Sequence, residues 1–419
     1  MNEIEAVGAS ALSAVPAPPG AAGQERPWVF SFLIAPSAVV SNGVTAGVLA
    51  LLLRQHGVAP ARQAEILSLL GLPQMIYFLW SPITDFWMRR RSWLLLGAVA
   101  AALLTVIAFR QARLDAPLTV MLFFLAICCT QLVVSSCGGM LGNLHAESTR
   151  RRASSFYQSG SLAFGAGAIF VLAMLANRVG TGTLALTTGL LIAVPALAAF
   201  AAPQQQMVSL GDLRQTLTGI WREFKATFLN WRAVPYALVM VFPMGSGAAM
   251  GLLPGIAVDY GVTAQQVAWM NGLAGALLAA AGAMAASLIP ARLRASVVYL
   301  VLGIGTGLPL LLLAFGPLRP ANYFAGATLY IFLVGATYAL FTAVVLEFLG
   351  TSGKSGSSRY SIINSLGNVP VAYMTFLDGR GAAHWGTRGL PATEAILGAI
   401  GGSLLLTYFL LHKPTEPSA

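Results

Sequence analysis

The stretch SPITDFWMRRRSW, residues 81–93, places one aspartate and three consecutive arginines between two segments, 66–82 and 93–109, that contain no Lys, Arg, Asp or Glu. Each flanking segment approaches the length needed to cross a bilayer core as a helix, about 20 residues. A charge cluster pinned between two such segments reads as a short loop at a membrane surface. The rest of the chain has the same character: 57% of residues are hydrophobic and 9% charged, with a mean hydropathy of +0.75. Soluble domains carry roughly a quarter charged residues, so this composition excludes a soluble globular fold and predicts an all-α polytopic membrane protein.

The net charge of +10 does not point to nucleic acid, because no basic helix with interleaved aromatics lies outside the apolar segments. Basic residues gather in the loops on one side of any multispanning protein. Cys128, Cys129 and Cys137 fall in one apolar segment without a second ligand cluster, so they are read as packing residues, with no metal site and no cofactor expected. Residues 1–27 are rich in Ala, Pro and Gly, carry Glu3 and Glu5 ahead of Arg26, and lack the basic and apolar regions of a signal peptide. They are expected to form a disordered cytoplasmic tail.

Twelve apolar segments begin near Trp28, Gln63, Ser92, Leu118, Ala153 and Thr183, and then near Ala233, Ala264, Ser296, Asn322, Tyr360 and Glu394. The sequence therefore predicts a six-helix bundle over 28–202, a linker over 203–232, a second six-helix bundle over 233–412 and a short tail over 413–419. Leu210, Leu213, Leu217 and Ile220 recur in the linker at helical spacing, as expected of an amphipathic helix on the membrane face. With both termini cytoplasmic, 16 of the 24 Lys and Arg fall on the inner side and 8 on the outer, the bias expected for a cytoplasmic (inner) membrane protein.

The two halves echo one another. RQHGVAPARQA at 54–64 parallels VDYGVTAQQVA at 258–268, and Tyr157 in ASSFYQSGS parallels Tyr360 in GSSRYSIIN, at offsets of 204 and 203 residues. Two matches at nearly one offset imply parallel repeats with a substrate site between them.

These features resemble the major facilitator superfamily. Its signature loop has a glycine, an aspartate, a basic residue, a second glycine and two further basic residues; Ser81, Asp85, Phe86, Met88, Arg89 and Arg90 occupy those positions. Asp85 and the arginines are kept, while both glycines and the first basic residue are not. The run AESTRRRASSFYQSGSLAFGAGA resembles the family's fourth-to-fifth-helix segment through Glu147, Arg150, Arg151, Arg152 and its glycines. Tyr77, Phe78, Trp80, Pro82 and Asp85 are most similar to the branch of muropeptide permeases, acetyl-CoA transporters and siderophore importers, without that branch's lysine. The resemblance implies a secondary transporter, monomeric, with protons as a candidate coupling ion, in which Asp85, Arg89, Arg90 and Arg91, with Glu147 and Arg150 to Arg152, latch the inner side shut. The alternative for the loop is a headgroup anchor.

The predicted spans hold essentially no charge. Glu347 and His145, near inner ends, are the candidates for proton coupling, with Glu347 alternatively paired with Arg359 or Lys354. Candidate cavity residues are the neutral polar ones: Asn42, Gln74, Tyr77, Gln131, Ser135, Tyr157, Asn271, Tyr338, Asn364 and Asn368, the last two on a stripe with Ser361 and Ser365. Such a lining fits a neutral or hydroxyl-rich solute such as a muropeptide or siderophore. The bland alternative for each is a bond between helices. GTSGKSGSS, 350–358, is not a phosphate loop, since Phe348 replaces its first glycine and an apolar helix precedes it. Two other function classes stay open: a membrane-embedded enzyme with Asp378, Arg380 and His384 of an outer loop, and a non-transporting sensor.

Overall fold

The computed structural model describes residues 26–80, 83–84, 87–142, 144, 147–176, 178–202, 218, 221–222, 234–290, 293–349 and 356–411, with the backbone alone for 142, 147–152, 154–155, 236, 287, 342–343, 345–349 and 356–364. Among the described residues it contains twelve helical spans. The first half comprises α1 (Val29–Gln55), α2 (Pro60–Ile76), α3 (Arg90–Phe109), α4 (Pro117–Gly142), α5 (Glu147–Leu175) and α6 (Thr181–Ala196). The second comprises α7, in two pieces (Val234–Val241 and Ala248–Tyr260), α8 (Ala264–Ala286), α9 (Ala295–Phe315), α10 (Pro320–Leu349), α11 (Gly356–Trp385) and α12 (Gly389–Leu411). Residues 203–217, 219–220 and 223–232, most of the predicted linker, lie outside the described residues.

The repeat seen in the sequence reappears as backbone geometry. Gly57 and Gly261 both adopt positive φ, 79° and 73°, where a Cβ is strained. After α1, Gly57 N–H donates to Arg54 O and Val58 N–H to Leu53 O, both at 3.0 Å; after α7, Gly261 N–H donates to Val258 O at 3.0 Å and Val262 N–H to Ala257 O at 3.1 Å. Extended residues then lead into α2 and α8: Ala59 ahead of Pro60, which needs no N–H there, and Thr263 in a capping box with Gln266. The face carrying these two turns is called the turn face. The opposite face, where α1 begins and α12 ends, is the terminal face.

Two irregular helices sit at equivalent places. In α1, Ala38–Val48 winds as π-helix, with the Thr45 hydroxyl donating to Val40 O at 2.9 Å. Gly43 and Gly47 in that stretch bring α1 against Ala168 and Ile169 of α5. In α7 the helix stops altogether at Phe242–Gly247, with Gly245 at φ 65° and Gly247 at φ 73°. Asn42–Gly43 and Ser246–Gly247 are related by the same 204-residue offset.

Small residues join the halves near the turn face. Gly251 meets Ala46 and Gly255 meets Ala50 and Gln63 between α7 and α1; Gly272 lies on the Phe170 backbone between α8 and α5; Gly379 meets Ala64 between α11 and α2. The Phe170 and Trp269 rings pack edge-on at 4.9 Å, and the Ser68 hydroxyl donates to Ala372 O at 2.6 Å. The apolar core follows this pattern. One continuous core joins Leu49, Leu53 and Leu70 of the first half to Leu253, Ile256, Tyr260 and Tyr330 of the second. Toward the terminal face it divides into two: Val29, Phe30, Leu94 and Val133 within the first half, and Val239, Tyr299, Val344 and Leu405 within the second.

Gly379 and Gly57 therefore make a controlled pair. A cysteine pair at Ser68 and Ala372 should cross-link readily, and Gly379→Leu should lower that yield severalfold by forcing α11 off Ala64. Gly57→Ala, which meets no neighbour, should leave the yield unchanged while lowering stability by about 1 kcal/mol. An unaltered yield in Gly379→Leu would contradict this packing.

Candidate functional site

An interrupted helix frees backbone groups that lipid cannot satisfy, and the second half supplies partners for five of the groups around the break in α7. The Tyr373 hydroxyl donates to Val241 O at 2.7 Å, Tyr299 to Met244 O at 3.3 Å and Tyr338 to Ser246 O at 2.9 Å. On the other side of the gap, the Ser246 hydroxyl oxygen accepts from Ala248 N–H at 3.2 Å. Glu394, reaching in from α12, accepts from Ala249 N–H at 2.7 Å. Its other oxygen accepts from the Tyr330 hydroxyl at 2.6 Å and the Ser246 hydroxyl at 3.2 Å. Glu394 thus caps the second piece of α7 from a different helix, at the positive end of its dipole.

Beside it stands Asp378 of α11. The antiparallel pair α11–α12 closes tightly because Gly381 packs on Gly389 and Thr393, which sets the two carboxyl groups beside each other. Asp378 is fully buried and Glu394 is 3% exposed. Seven residues separate Asp378 from the end of α11 and five separate Glu394 from the start of α12, so both lie about 8–10 Å along their helices from the turn face. A charge in a membrane core costs at least about 2.5–3.5 kcal/mol on insertion scales. Three donors on Glu394, at about 1.5–3 kcal/mol each for a bond to a charged group, offset that cost. Asp378 receives no donor from any other described group.

This corrects two expectations. The spans are not free of charge: Glu394 does not open the twelfth helix but lies inside it, because α12 begins at Gly389. Nor is Asp378 in an outer loop. The run Asp378–Trp385 continues α11, so Asp378 points into the bundle while His384 is exposed at the helix end beside Trp385, and Arg380 lies over the Phe376 ring at 5.6 Å. Asp378 and His384 do not converge, and the enzyme site drawn from them is not assembled. The glutamate was missed because five residues of Gly, Leu, Pro, Ala and Thr precede it and read as loop. The short turn at Gly386–Arg388 was the signal that could have found it.

A second charged contact lies at the turn face. The Arg54 guanidinium donates to one oxygen of Asp259 at 2.6 Å, and the Thr387 hydroxyl donates to the other at 2.6 Å. Arg54 and Asp259 are 28% and 20% exposed, and the pair ties the end of α1 to the end of α7 and the α11–α12 turn. Nearby, Gln63 is buried, donating to Val58 O at 2.7 Å. The α3–α4 turn is closed differently, by Arg113 gripping both oxygens of Asp115 at 2.8 and 3.2 Å. That hydrogen bonding holds the Asp115 carboxyl below its ordinary range.

The expected cavity residues divide. Asn368 donates to Gln74 O at 3.3 Å and so joins α11 to α2 across the halves. Asn42 is exposed beside the π-helical stretch and donates to Ser161 at 3.4 Å, and Tyr338 keeps 48% of its surface exposed beside the α7 break. Asn271 accepts from the Tyr323 hydroxyl at 3.3 Å, an interhelical bond. Gln131 and Tyr77 are buried at 4% and 9%, and Ser135 and Tyr157 are half-buried. Asp85, His145 and the lysine of the 350–355 segment lie outside the described residues, as do the side chains of Glu147, Arg150, Arg151, Arg152, Glu347, Ser361 and Asn364. Of the signature-loop arginines, Arg89 is exposed, Arg90 donates to Gly139 O at 2.5 Å, and Arg91 lies 4.4 Å over the Phe200 ring. Two grooves of about 400 and 370 Å³, between α8 and α10 and between α2 and α4, have largely apolar linings and open on the perimeter of the bundles. Among the described residues no group of three or more His, Cys, Asp or Glu is placed to hold a metal.

No protein-family model and no curated protein matches the chain in sequence. Solved structures do match in shape. A POT family transporter in complex with a thioalcohol-conjugated peptide aligns at a TM-score of 0.70 and 11% identity, covering 91% of this chain and 95% of that one. A D-xylose–proton symporter aligns at 0.68 and 10%, covering 90% and 95%. A bacterial homolog of the human lysosomal transporter Spinster, inward-facing and unoccupied, aligns at 0.63 and 15%, covering 94% and 98%. At these identities the likeness is one of fold: the chain is an integral membrane protein with the major facilitator fold, two parallel six-helix halves.

The turn-face contact predicts a graded response. Asp259→Asn removes an ion pair of at most about 1 kcal/mol, equivalent to about a fivefold change in population. Maleimide labelling of a cysteine at Gln63 should rise by about that factor, and Glu65→Gln, which breaks only the perimeter pair with Arg62, should not change it. Equal labelling in Asp259→Asn and the parent would count against the contact as a closure of this face.

Proposed function

We propose that this protein moves a small organic solute across a membrane by alternating access between its two halves. The observation that carries the reading is the division of the core: one shared core toward the turn face, two separate cores toward the terminal face. A protein that rocked between two access states would have that construction in the state closed at the turn face. The contacts that close it are closely approaching small residues, one ring pair, one partly exposed ion pair and the apolar side chains of the shared core.

The solute in this reading is neutral or hydroxyl-rich, a muropeptide or siderophore before a nucleotide ester. Asn42, Gln74, Tyr338 and Asn368 offer donors and acceptors without fixed charge, with Asn364 on the same stripe of α11. The N-terminus of the second piece of α7 would otherwise suit an anion, but Glu394 already occupies it. The excess of Lys and Arg in the loops of the terminal face supports placing that face in the cytoplasm of an inner membrane. The working unit is a monomer, with bundles over 28–202 and 233–412 joined by an amphipathic linker over 203–232. Asp85 with Arg89 to Arg91, and Glu147 with Arg150 to Arg152, would close the terminal face in the opposite state.

Uptake into proteoliposomes, with muropeptides, siderophores and CoA esters offered in turn and with or without an imposed pH gradient, tests this. A neutral sugar-peptide or siderophore should accumulate, and Asn368→Ala should reduce its uptake about tenfold through loss of cavity hydrogen bonds. Movement of CoA esters alone would overturn the substrate class, and movement of none of the three would remove the branch-level assignment.

A further inference from the structure

Both oxygens of Asp378 are buried, and no described side chain or backbone group other than Glu394 is in a position to bond them. Glu394, by contrast, has three donors: Ala249 N–H, Tyr330 and Ser246. Two carboxylates in contact, both excluded from water, would repel each other and leave Asp378 without a hydrogen bond. A single proton removes both defects at once. Placed on Asp378 it forms an O–H that donates to Glu394, which stays ionised against its three donors and the helix end.

We propose that Asp378 and Glu394 form a proton-binding site, in which one proton bridges the two carboxyl groups and its presence sets the geometry of the interruption in α7. With the proton, the pair carries one negative charge, and Glu394 holds the Ala249 amide. When the proton leaves to water, the pair carries two negative charges with no cation among the described residues beside it, and Glu394 must move off the helix end or draw water in. Either movement releases the Ala249 amide and the hydroxyls of Tyr330 and Ser246, the groups that fix the second piece of α7. Because that piece packs on α1 through Gly251 and Gly255, the proton acts on the contact between the halves.

The surrounding ionisable groups do not supply a counter-charge. On α10, Tyr323 and Tyr330 face the pair's surroundings and Tyr338 reaches the α7 break; on α9, Tyr299 does the same. On α11, Tyr373 bonds Val241 O, while Arg380 and His384 are exposed near the turn face. On α2, Arg62 and Glu65 pair with each other at 2.9 Å, and on α7 Asp259 pairs with Arg54. Arg388, in the α11–α12 turn, donates to Gly316 O at 3.4 Å. The terminal ends of α10 and α11 carry Glu347 and Arg359, at the far side of the bundle.

The test uses the full chain in lipid vesicles and needs no transported solute, so its outcome is independent of the uptake assay. Exposed carboxyl groups are ionised near pH 7. Infrared spectra at about that pH should therefore show a carboxylic-acid C=O band that disappears in Asp378→Asn, shifts in frequency in Glu394→Gln and is unchanged in Asp115→Asn. Deuterium exchange of the Ala249 amide in the unsubstituted protein should stay slow while the band is present and speed up by about tenfold as the band is lost with rising pH. Absence of the band in the unsubstituted protein overturns the proposal. So does a band that Asp378→Asn does not remove or Glu394→Gln does not shift, or amide exchange that ignores its loss. Disappearance of the band on adding sodium ions at constant pH would make the site a metal-cation site and overturn it equally.

Discussion

A bilayer core offers nothing to hydrogen-bond a broken backbone, and the second half of this protein is arranged around that constraint. Pro243, Gly245 and Gly247 interrupt α7, and the freed groups are satisfied one by one: three carbonyls by Tyr373, Tyr299 and Tyr338, two amides by Ser246 and Glu394. The glutamate is the costliest of these partners, and it is tolerable because it meets three donors at a helix end. Among the described residues its neighbour Asp378 has none. The interruption thus draws ionisable groups into the membrane and makes their protonation a structural matter.

The contact between the halves follows from the same economy of side chains. Where α7, α8 and α11 cross α1, α5 and α2, the chain places glycine, so that backbones approach without interlocking large apolar groups. Around these glycines the apolar side chains of the shared core complete the contact. Arg54, Asp259 and Thr387 add a directional contact at the very edge, where water is at hand to solvate the charges when it breaks.

Much of the fold was legible in the sequence because lipid imposes length and polarity on each span, and because Gly57 and Gly261 mark the repeat through a turn only glycine adopts easily. The break in α7 was harder to see: PMGSG is apolar enough to pass as helix when only hydropathy is read. Tyr338 and Asn368 stand out in the sequence because an amide or phenol in a span needs a reason; Tyr338 bonds the Ser246 carbonyl and Asn368 the Gln74 carbonyl. Asp378 and Glu394 were misplaced because each lies near a helix end with glycines between them, a pattern that composition alone assigns to a loop. Their burial depends on how closely α11 and α12 pack at Gly381 and Gly389, which is a tertiary fact. The Arg54–Asp259 pair likewise joins residues that are far apart in the chain.

The central claim is that the halves rock against each other out of a state closed at the turn face. Spin labels at Gln111 and Arg319, on the turn face of opposite halves, and at Met88 and Leu293, toward the terminal face, would report it by double electron–electron resonance in lipid. The account predicts a short, narrow distance for the first pair and a long one for the second in the resting protein, with a minor population in which the two exchange. Distances that lengthen or shorten together, or a single fixed pair of distances under every solute and pH condition, would contradict it.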